Sequence, residues 1–532
     1  MHEVGVWIGA VFPIICLFFL IGILQIRTER AAFAGVIVAV VAAFVVGKDT
    51  WKGVLVSAGK GAWNALPILV VIWTAILLYQ ILEQTDAFLV IRSFIGKAIK
   101  DELLLILLIS WIFASFLQGI TGFGVPVAVC APLLITMGVK PQWAVLITLL
   151  GHAWANTFGT FAMGWDALLA QSGLTDSFVT LCATCVCLAV VNLCGAVLTC
   201  IFYGGKRAVL HMAPLLILIS GIHGVGQFMI GRINSTIAAF IPTTVALFAI
   251  VFVIKCGKYT KEWRMPSAIM SNVPTVAQSM IEEKDEKKNF FYAVFPFGIL
   301  VMLSVLILMV KPVYERLHRV SLFLSFPQTV TGRGFTNEAV GQYGTFYIFT
   351  HAGFILLLTV CITLLLYKRK NKIQKSSLNR IGKATLKKII PTSVSLLFLV
   401  MMAQILKGSG LMTIIAEGVA KVTGQNYGMA APFIGLLGAF VTSSNTSSNI
   451  LLGSFQAEMA SILHAKEWIL LTAQTVGGAI GTVIGPSTIF LGITTAGCLG
   501  KEGWVMKKMF PVALAETAVF GLLSWILMKG IL

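Results

Sequence analysis

Apolar runs long enough to cross a bilayer recur along the whole of this chain, and they constrain its fold more than any other feature. A helix needs roughly 20 residues to span the hydrocarbon core. Such runs lie near Val4–Gln25, Ala31–Gly47, Trp63–Leu82, Glu102–Leu117, Asp176–Tyr203, Ala208–Ile230, Ser235–Cys256, Asn289–Val310, Thr345–Tyr367, Ile389–Leu406 and Lys508–Lys529. Two further regions, Gln118–Ser172 and Met429–Gly497, are apolar but repeatedly interrupted, as short or broken helices would be. Lipid offers backbone groups no partners, so the crossings must be helices. A barrel would alternate apolar and polar residues in segments of about ten, whereas these runs are continuous. The reading is an all-α polytopic membrane protein with about 12–14 transmembrane helices. Composition agrees: 58% of the 532 residues are hydrophobic and 11% charged, against roughly 25% charged in soluble domains. So few charges cannot clothe a soluble protein of this length. That excludes a soluble enzyme and a nucleic-acid binder.

The net charge of +18 is then a matter of topology, because short loops rich in Lys and Arg stay cytoplasmic. Lys368–Lys388 carries nine basic residues and no acidic one. Cys256–Lys288 is longer and mixed, with Lys258, Lys261, Arg264, Lys284, Lys287 and Lys288. Lys206 with Arg207, and Arg27 with Arg30, mark two short basic turns. Placing all four on the cytoplasmic side gives a consistent alternation across the cell membrane, with the N-terminus outside. Lys311–Tyr343 then faces outward as a loop, despite Lys311, Arg316, Arg319 and Arg333. Met1-His2-Glu3 lacks a charged leader and a small-residue cleavage site, so the first apolar run is read as the first span.

Four polar, Gly-rich stretches interrupt otherwise apolar sequence. The first is Gln118-Gly-Ile-Thr-Gly-Phe-Gly-Val-Pro126, where three glycines permit left-handed backbone and Pro126 suits the first turn of a new helix. The second is Gly151-His-Ala-Trp-Ala-Asn-Thr-Phe-Gly-Thr160, followed by Gly164 and Asp166. The third is Thr442-Ser-Ser-Asn-Thr-Ser-Ser-Asn449, a polar run that cannot face lipid. The fourth is Gln474-Thr-Val-Gly-Gly-Ala-Ile-Gly-Thr482, continuing through Gly485, Pro486, Ser487 and Thr488. They form two pairs, and each half of the chain reads broken segment, apolar helix, broken segment. Interrupted hydrophobic segments at matching positions in two halves point to a transporter binding site. Five cysteines in Asp176–Tyr203, among them Cys182 and Cys185, are read as small packing residues.

A half-helix starting inside the membrane aims unpaired N–H groups and its positive end at the midplane. Such ends bind an anion without any Arg. The substrate-binding set on this reading is Gln118, Thr121, Gly122 and Gly124 from the first half, with Ser444, Asn445, Thr446, Ser447, Asn449, Gly481 and Thr482 from the second. It suits a small anion whose hydroxyl or carboxylate groups meet these donors.

At these segments the chain resembles the L-lactate permease family, which includes glycolate permeases. Gln118-Gly-Ile-Thr-Gly-Phe-Gly-Val-Pro-Val-Ala128 is similar to that family's E-G-x-x-G-F-G-x-P-V-A, and Pro132–Pro141 continues it. Ser444-Asn-Thr-Ser-Ser-Asn449 resembles S-D-T-S-S-N, followed by Phe455 and Gln456. Gly477-Gly478, Gly485-Pro486-Ser487-Thr488 and Gly500-Lys501-Glu502 keep order and spacing. The resemblance implies symport of a 2-hydroxy monocarboxylate, lactate or glycolate, with a proton by alternating access. It also implies two inverted repeats with re-entrant or broken helices, and homodimers. The chain then divides into scaffold helices 1–101, a first repeat core 102–203, further scaffold 204–389 with loops 256–288 and 368–388, and a second repeat core 390–532. Two departures stand out: the family pattern is acidic where this chain has Gln118 and Asn445. That removes the obvious proton carriers and leaves a sodium-coupled or differently selective carboxylate carrier as the alternative.

An ionisable group within a membrane is a functional candidate. His152, with its near-neutral ordinary pKa, Asp166 and Glu458 are the candidates for proton or cation coupling. His223 and His351 lie in apolar spans away from the repeat cores and are read as structural. No cofactor is called for beyond the coupling ion, proton or sodium. The partners expected are a small carboxylate, that cation and the lipid bilayer, with no nucleic acid. A channel would need a continuous polar stripe or a charged ring. An enzyme would need a metal cluster or a nucleophile–base pair, and the His residues form no His-x-x-x-His pattern.

Overall fold

A computed structural model of the chain describes every residue except 1, 25, 89, 92–98, 123, 175–176, 258, 272–285, 371–372, 374 and 531–532. Eleven helical segments among the described residues are long and apolar enough to cross a membrane. The first are α1 (His2–Phe18), α2 (Thr28–Val45) and α3 (Trp51–Gln84). The first interrupted region forms α4 (Glu102–Ile120), α5 (Val125–Ile135), α6 (Pro141–His152) and α7 (Gly159–Ser172). Next comes α8 (Phe178–Ile233), a helix that reverses at Gly204 and Gly205, whose backbone is not helical. Its arms run antiparallel, with Gly224 against Ala189 and Gly231 against Leu181. After α9 (Phe240–Lys255), α10 (Glu286–Leu308) and α11 (Lys311–Leu317) stand four strands. They are β1 (Ser321–Phe326), β2 (Thr329–Val330), β3 (Thr336–Asn337) and β4 (Val340–Tyr347). The rest are α12 (Ala352–Arg369), α13 (Lys375–Gly408), α14 (Leu411–Thr423), α15 (Tyr427–Thr442), α16 (Asn445–Ile462), α17 (Glu467–Gly481), α18 (Pro486–Thr495) and α19 (Glu502–Met528).

Three expectations need correcting. Lys311–Tyr343 is no plain loop: β1 pairs antiparallel with β4 and β2 with β3, nested as a hairpin that turns at Gly334 (φ 81°). Ser321-Leu-Phe-Leu-Ser-Phe326 is a short apolar run with two phenylalanines, a composition that suits a strand, which the neighbouring charges obscured. The basic run Lys368–Lys388 is mostly helical: Lys368 and Arg369 end α12, and α13 starts at Lys375 and runs through both Gly382 and Pro391. In Thr442–Asn449 only Ser443 and Ser444 leave the helix; Asn445–Asn449 is the first turn of α16. Of the loop 256–288, Lys258 and residues 272–285 lie outside the described residues, as does Lys372.

Contacts define two ends of the bundle. At one, the β hairpin packs on the ends of α2, α3 and α13: Gly332 N–H donates to Lys48 O (2.7 Å), and Lys60 Nζ donates to Asn337 Oδ1 (2.7 Å). Gln425 Nε2 donates to Leu463 O (3.0 Å) and Trp525 Nε1 to Asn426 Oδ1 (2.9 Å). Lys407 at the end of α13 lies near Lys60, Glu458 and Glu467, so both ends of the α15–α16 pair lie near this hairpin end. At the other end the segment 259–271 forms a strap. Glu102 N–H donates to Trp263 O (3.2 Å), Arg264 pairs with Glu102 (2.8 Å), and His211 stacks on Trp263 (4.0 Å). Lys140 N–H donates to Ile269 O (2.8 Å) and Ser271 N–H to Gly138 O (2.7 Å). Both ends of the stretch α4–α5 therefore lie at the strap end. Chain segments α6–α7 and α17–α18 each run from one end to the other through a break.

Asp101 holds this strap end together. Its buried carboxylate accepts from Leu104 N–H (3.0 Å), capping α4, and lies 2.6 Å from His211 Nε2. Asp101→Ala removes a cap and one member of a buried pair. It should cost about 2–3 kcal/mol, read as a lower thermal midpoint of the purified protein in micelles. Asp101→Asn, which keeps the cap, should cost less.

Small residues let the remaining helices approach, as lipid-embedded packing requires. A Cβ on Gly61 of α3 would lie 2.6 Å from Met401 Cα of α13, and one on Gly35 of α2 would lie 2.8 Å from Met402 Sδ. From this layer α3 packs on α7 and α13 on α16.

Candidate functional site

All four breaks meet at one cavity of about 60 Å³. A water needs roughly 10–15 Å³ on this measure, so the space suits a handful of waters or one small organic ion. Each break is built by its own local chemistry. The first turns on Gly122 (φ 55°) and Gly124 (φ 75°), and Pro126 falls in the first turn of α5. A Cβ on Gly122 would overlap the Thr160 hydroxyl. Only glycine lets the first break touch the second.

The second break follows α6. His152 Nδ1 lies 2.5 Å from Thr148 O. A carbonyl only accepts, so Nδ1 carries the hydrogen and Nε2 is left for the cavity. Thr160, Phe161 and Ala162 then form a left-handed turn, with φ of 49°, 54° and 63°. Such a turn costs about 1–2 kcal/mol per residue and calls for support. Asn449 supplies it from across the site: its Nδ2 donates to Gly164 O (2.9 Å). Asn156 joins the second break to the fourth, donating to Thr482 Oγ1 (2.6 Å) and Ala479 O (3.3 Å).

The third break turns on Ser443 (φ 55°). Ser444 caps α16, its hydroxyl accepting from Ser447 N–H at 3.2 Å. The Asn445 and Thr446 amides at the cavity have no acceptor among the described residues. Ser443 Oγ accepts from Ser487 N–H (3.0 Å), which ties this break to the start of α18. Gly485 permits that approach, since a Cβ there would lie 2.8 Å from Ser443 Cα. Asn445 is the centre of the arrangement. Its Nδ2 donates to Thr157 Oγ1 (3.0 Å) and Thr475 Oγ1 (3.4 Å), and these two hydroxyls lie 3.0 Å apart. One side chain thus links the second break to α16 and α17. Behind it Gln474 Nε2 donates to Ser448 Oγ (3.0 Å), and Gln456 Nε2 donates to Gln474 Oε1 (3.1 Å).

Of the residues singled out from sequence, Gln118, Gly124, His152, Ser444, Asn445, Thr446 and Thr482 line the cavity. Thr121 is buried one turn back, its hydroxyl donating to Leu117 O (2.8 Å). Ser447 and Asn449 lie behind the lining, in the contacts given above. Gly481 packs against the α15 backbone at Leu436. Asp166 is exposed on α7 and Glu458 is half-buried near Lys407 and Thr413 toward the hairpin end; neither lines the cavity. Sequence reasoning passed over Asn156, Thr157, Thr160 and Thr475 as individual site residues. All four fall inside the broken segments, and that was the available signal. Away from the cavity, His223 is buried against Trp154, with ring centroids 4.6 Å apart. Among the described residues no carboxylate lines the cavity, and His152 is its one ionisable side chain.

The chain resembles the L-lactate permease of Escherichia coli (strain K12), at 25% identity over 98% of this chain and 96% of that one. The L-lactate permease of Bacillus subtilis (strain 168) is 27% identical, covering 93% and 91%. Glycolate permease GlcA of E. coli (strain K12) is 25% identical, covering 97% and 94%. Among solved structures, the Alcanivorax borkumensis YdaH transporter aligns over 93% of this chain and 88% of that one, with TM-score 0.38 and 12% identity. These relatives are permeases, not enzymes. The family model for L-lactate permease matches residues 7–530, and the chain belongs to that family.

Proposed function

We propose that the chain carries a small 2-hydroxy monocarboxylate, lactate or glycolate, across the cell membrane together with a proton by alternating access. The observation that carries this reading is the convergence of all four breaks on one small cavity lined by hydroxyls, amides and a helix start. The carboxylate is held by the Asn445 and Thr446 amides and the positive end of α16. The substrate hydroxyl is met by Gln118, Thr160 or Thr482. The absence of an acidic lining among the described residues favours an anion. His152 takes the coupling proton at Nε2, since it is the one ionisable side chain among the described lining residues. The stretches α4–α7 and α15–α18 act as an inverted pair of repeats, with α4–α5 entering from the strap end and α15–α16 from the hairpin end. The strap end, richer in Lys and Arg, is cytoplasmic, which places the N-terminus outside. The carrier reading with sodium in place of the proton shares the same site.

Counterflow in proteoliposomes, with a panel of hydroxy-, keto- and dicarboxylates, tests the substrate. Lactate and glycolate should exchange and dicarboxylates should not. Net uptake tests the ion. An imposed acid-outside gradient should drive accumulation that an uncoupler abolishes, and His152→Gln should lose accumulation yet retain exchange. Accumulation that follows a sodium gradient and ignores the uncoupler would overturn proton coupling.

A further inference from the structure

A second cavity lies away from the substrate site. It is a groove of about 340 Å³ between the first arm of α8, α17 and the end of α19. Its walls are almost wholly apolar: Val179, Cys182, Ala183 and Val186 on one side, Trp468 and Phe520 among those opposite. Val179 and Val186 are 47% and 66% exposed, so the groove opens on the outer face of the bundle. In a chain that crosses a membrane many times, that face meets lipid tails.

The groove has a direction. From Val179 to Cys187 it follows α8 for about 12 Å, at 1.5 Å per residue. Phe178, Trp468 and Leu527 all lie toward the hairpin end, because Tyr203 at the other end of the same arm bonds Glu102 in the strap region, and Trp525 bonds Asn426. Two exposed basic residues stand at that mouth. Arg232 lies over the Phe178 ring at 5.4 Å, and Lys466 is the residue before α17, two positions from Trp468. Neither forms an ion pair among the described residues. The neighbouring Glu467 is half-buried and nearest in charge to Lys407. An apolar slot running down from a cationic mouth is complementary to an acyl chain below a phosphate.

We propose that this groove is a binding site for one anionic phospholipid, with an acyl chain between α8 and α17 and the phosphate between Arg232 and Lys466. The site touches the transport machinery from behind. Thr472 and Val476 of α17 line the groove, while Thr475, about a quarter-turn round the same helix, bonds Asn445 and Asn449. The Thr472 hydroxyl also meets that of Thr184 on α8 at 3.4 Å. A lipid in the groove therefore braces the helix whose Thr475 holds Asn445 at the substrate site.

Native mass spectrometry of the full chain, incubated with phosphatidylglycerol or phosphatidylcholine, tests the proposal. The protein should retain one phosphatidylglycerol through delipidation, at least fivefold more than phosphatidylcholine. Changing Arg232 and Lys466 together to Ala should erase that preference. Ala183→Trp, which fills the slot, should lose both lipids. If Ala183→Trp fails to fold, alkylation of Cys182 in the unaltered protein provides the second readout, and phosphatidylglycerol should slow it. Equal retention of both lipids, retention unaffected by the charge removal, or Cys182 protection that tracks dimer formation rather than lipid would each overturn the assignment. The last outcome would make a second copy of the chain the occupant.

Discussion

Asn445→Ala should lower counterflow at least about 100-fold while the protein still folds, a loss worth roughly 2.7 kcal/mol in the rate. The reason lies in what Asn445 joins. Its amide bonds Thr157 from the first half of the chain and Thr475 from the second, so it sets the distance between two breaks that line one cavity. Without it the two threonine hydroxyls still pair with each other at 3.0 Å. The fold therefore loses only about 1–3 kcal/mol, the cost of one buried hydrogen-bond partner. The start of α16, however, keeps only the Asn449 contact to Gly164 as its tie to the second break, and the amides that meet the substrate drift. Initial counterflow rates beside size-exclusion profiles separate the two effects. Full activity in a folded Asn445→Ala protein would remove Asn445 from the site.

Asn445→Asp is the informative companion. A carboxylate has the same shape but only accepts, and both threonine hydroxyls can turn to donate to it. The cavity then carries a negative charge that repels an anionic substrate until it is protonated. Counterflow should become acid-dependent, falling about tenfold per pH unit above the new group's pKa. The wild-type protein, with no lining carboxylate among its described residues, should lack that dependence. A flat profile for Asn445→Asp would argue that position 445 faces away from the bound anion.

Much of this architecture was readable from residue order. The spans follow from uninterrupted apolar runs, and the four breaks from glycine and hydroxyl clusters that lipid cannot accommodate. Gly122 and Gly124 do adopt the left-handed backbone that only glycine takes freely. What stayed hidden was whatever depends on distance across the fold. Thr157 and Thr475 look like ordinary helix threonines until Asn445 brings them together. Thr160, Phe161 and Ala162 show no local tendency to left-handed backbone; the Asn449 contact to Gly164 holds that turn, and no local rule anticipates it. Asp166 and Glu458 drew attention because charge is rare in such sequence. Linear proximity to a break says nothing of which face a helix presents, and both side chains lie off the cavity. The β hairpin was lost among charged loop residues, since its strands are short and mostly exposed.

Gly477→Ala should abolish transport and sharply lower the yield of folded protein, although alanine is the better helix former. A Cβ on Gly477 would overlap the carbonyl oxygen of Pro432, and one on Gly435 would overlap that of Gln474. These are backbone atoms of facing helices, so no side chain can swing aside. The added methyl group must push α15 and α17 apart. Overpacking of this kind costs about 1–3 kcal/mol, and more where the displaced atoms are main chain. The displacement also carries Thr475 away from Asn445, so the site opens even in molecules that fold. Gly221→Ala is the control. Gly221 lies in α8 with nothing within 4 Å of the new Cβ, so the substitution should stabilise by about 0.5–1 kcal/mol through helix propensity alone. The same atoms are added at both positions, and the thermal midpoint should move in opposite directions. If Gly477→Ala raised the midpoint as Gly221→Ala does, the close crossing of α15 and α17 would not exist in the folded protein, and the coupling of Asn445 to Thr475 would have no structural basis.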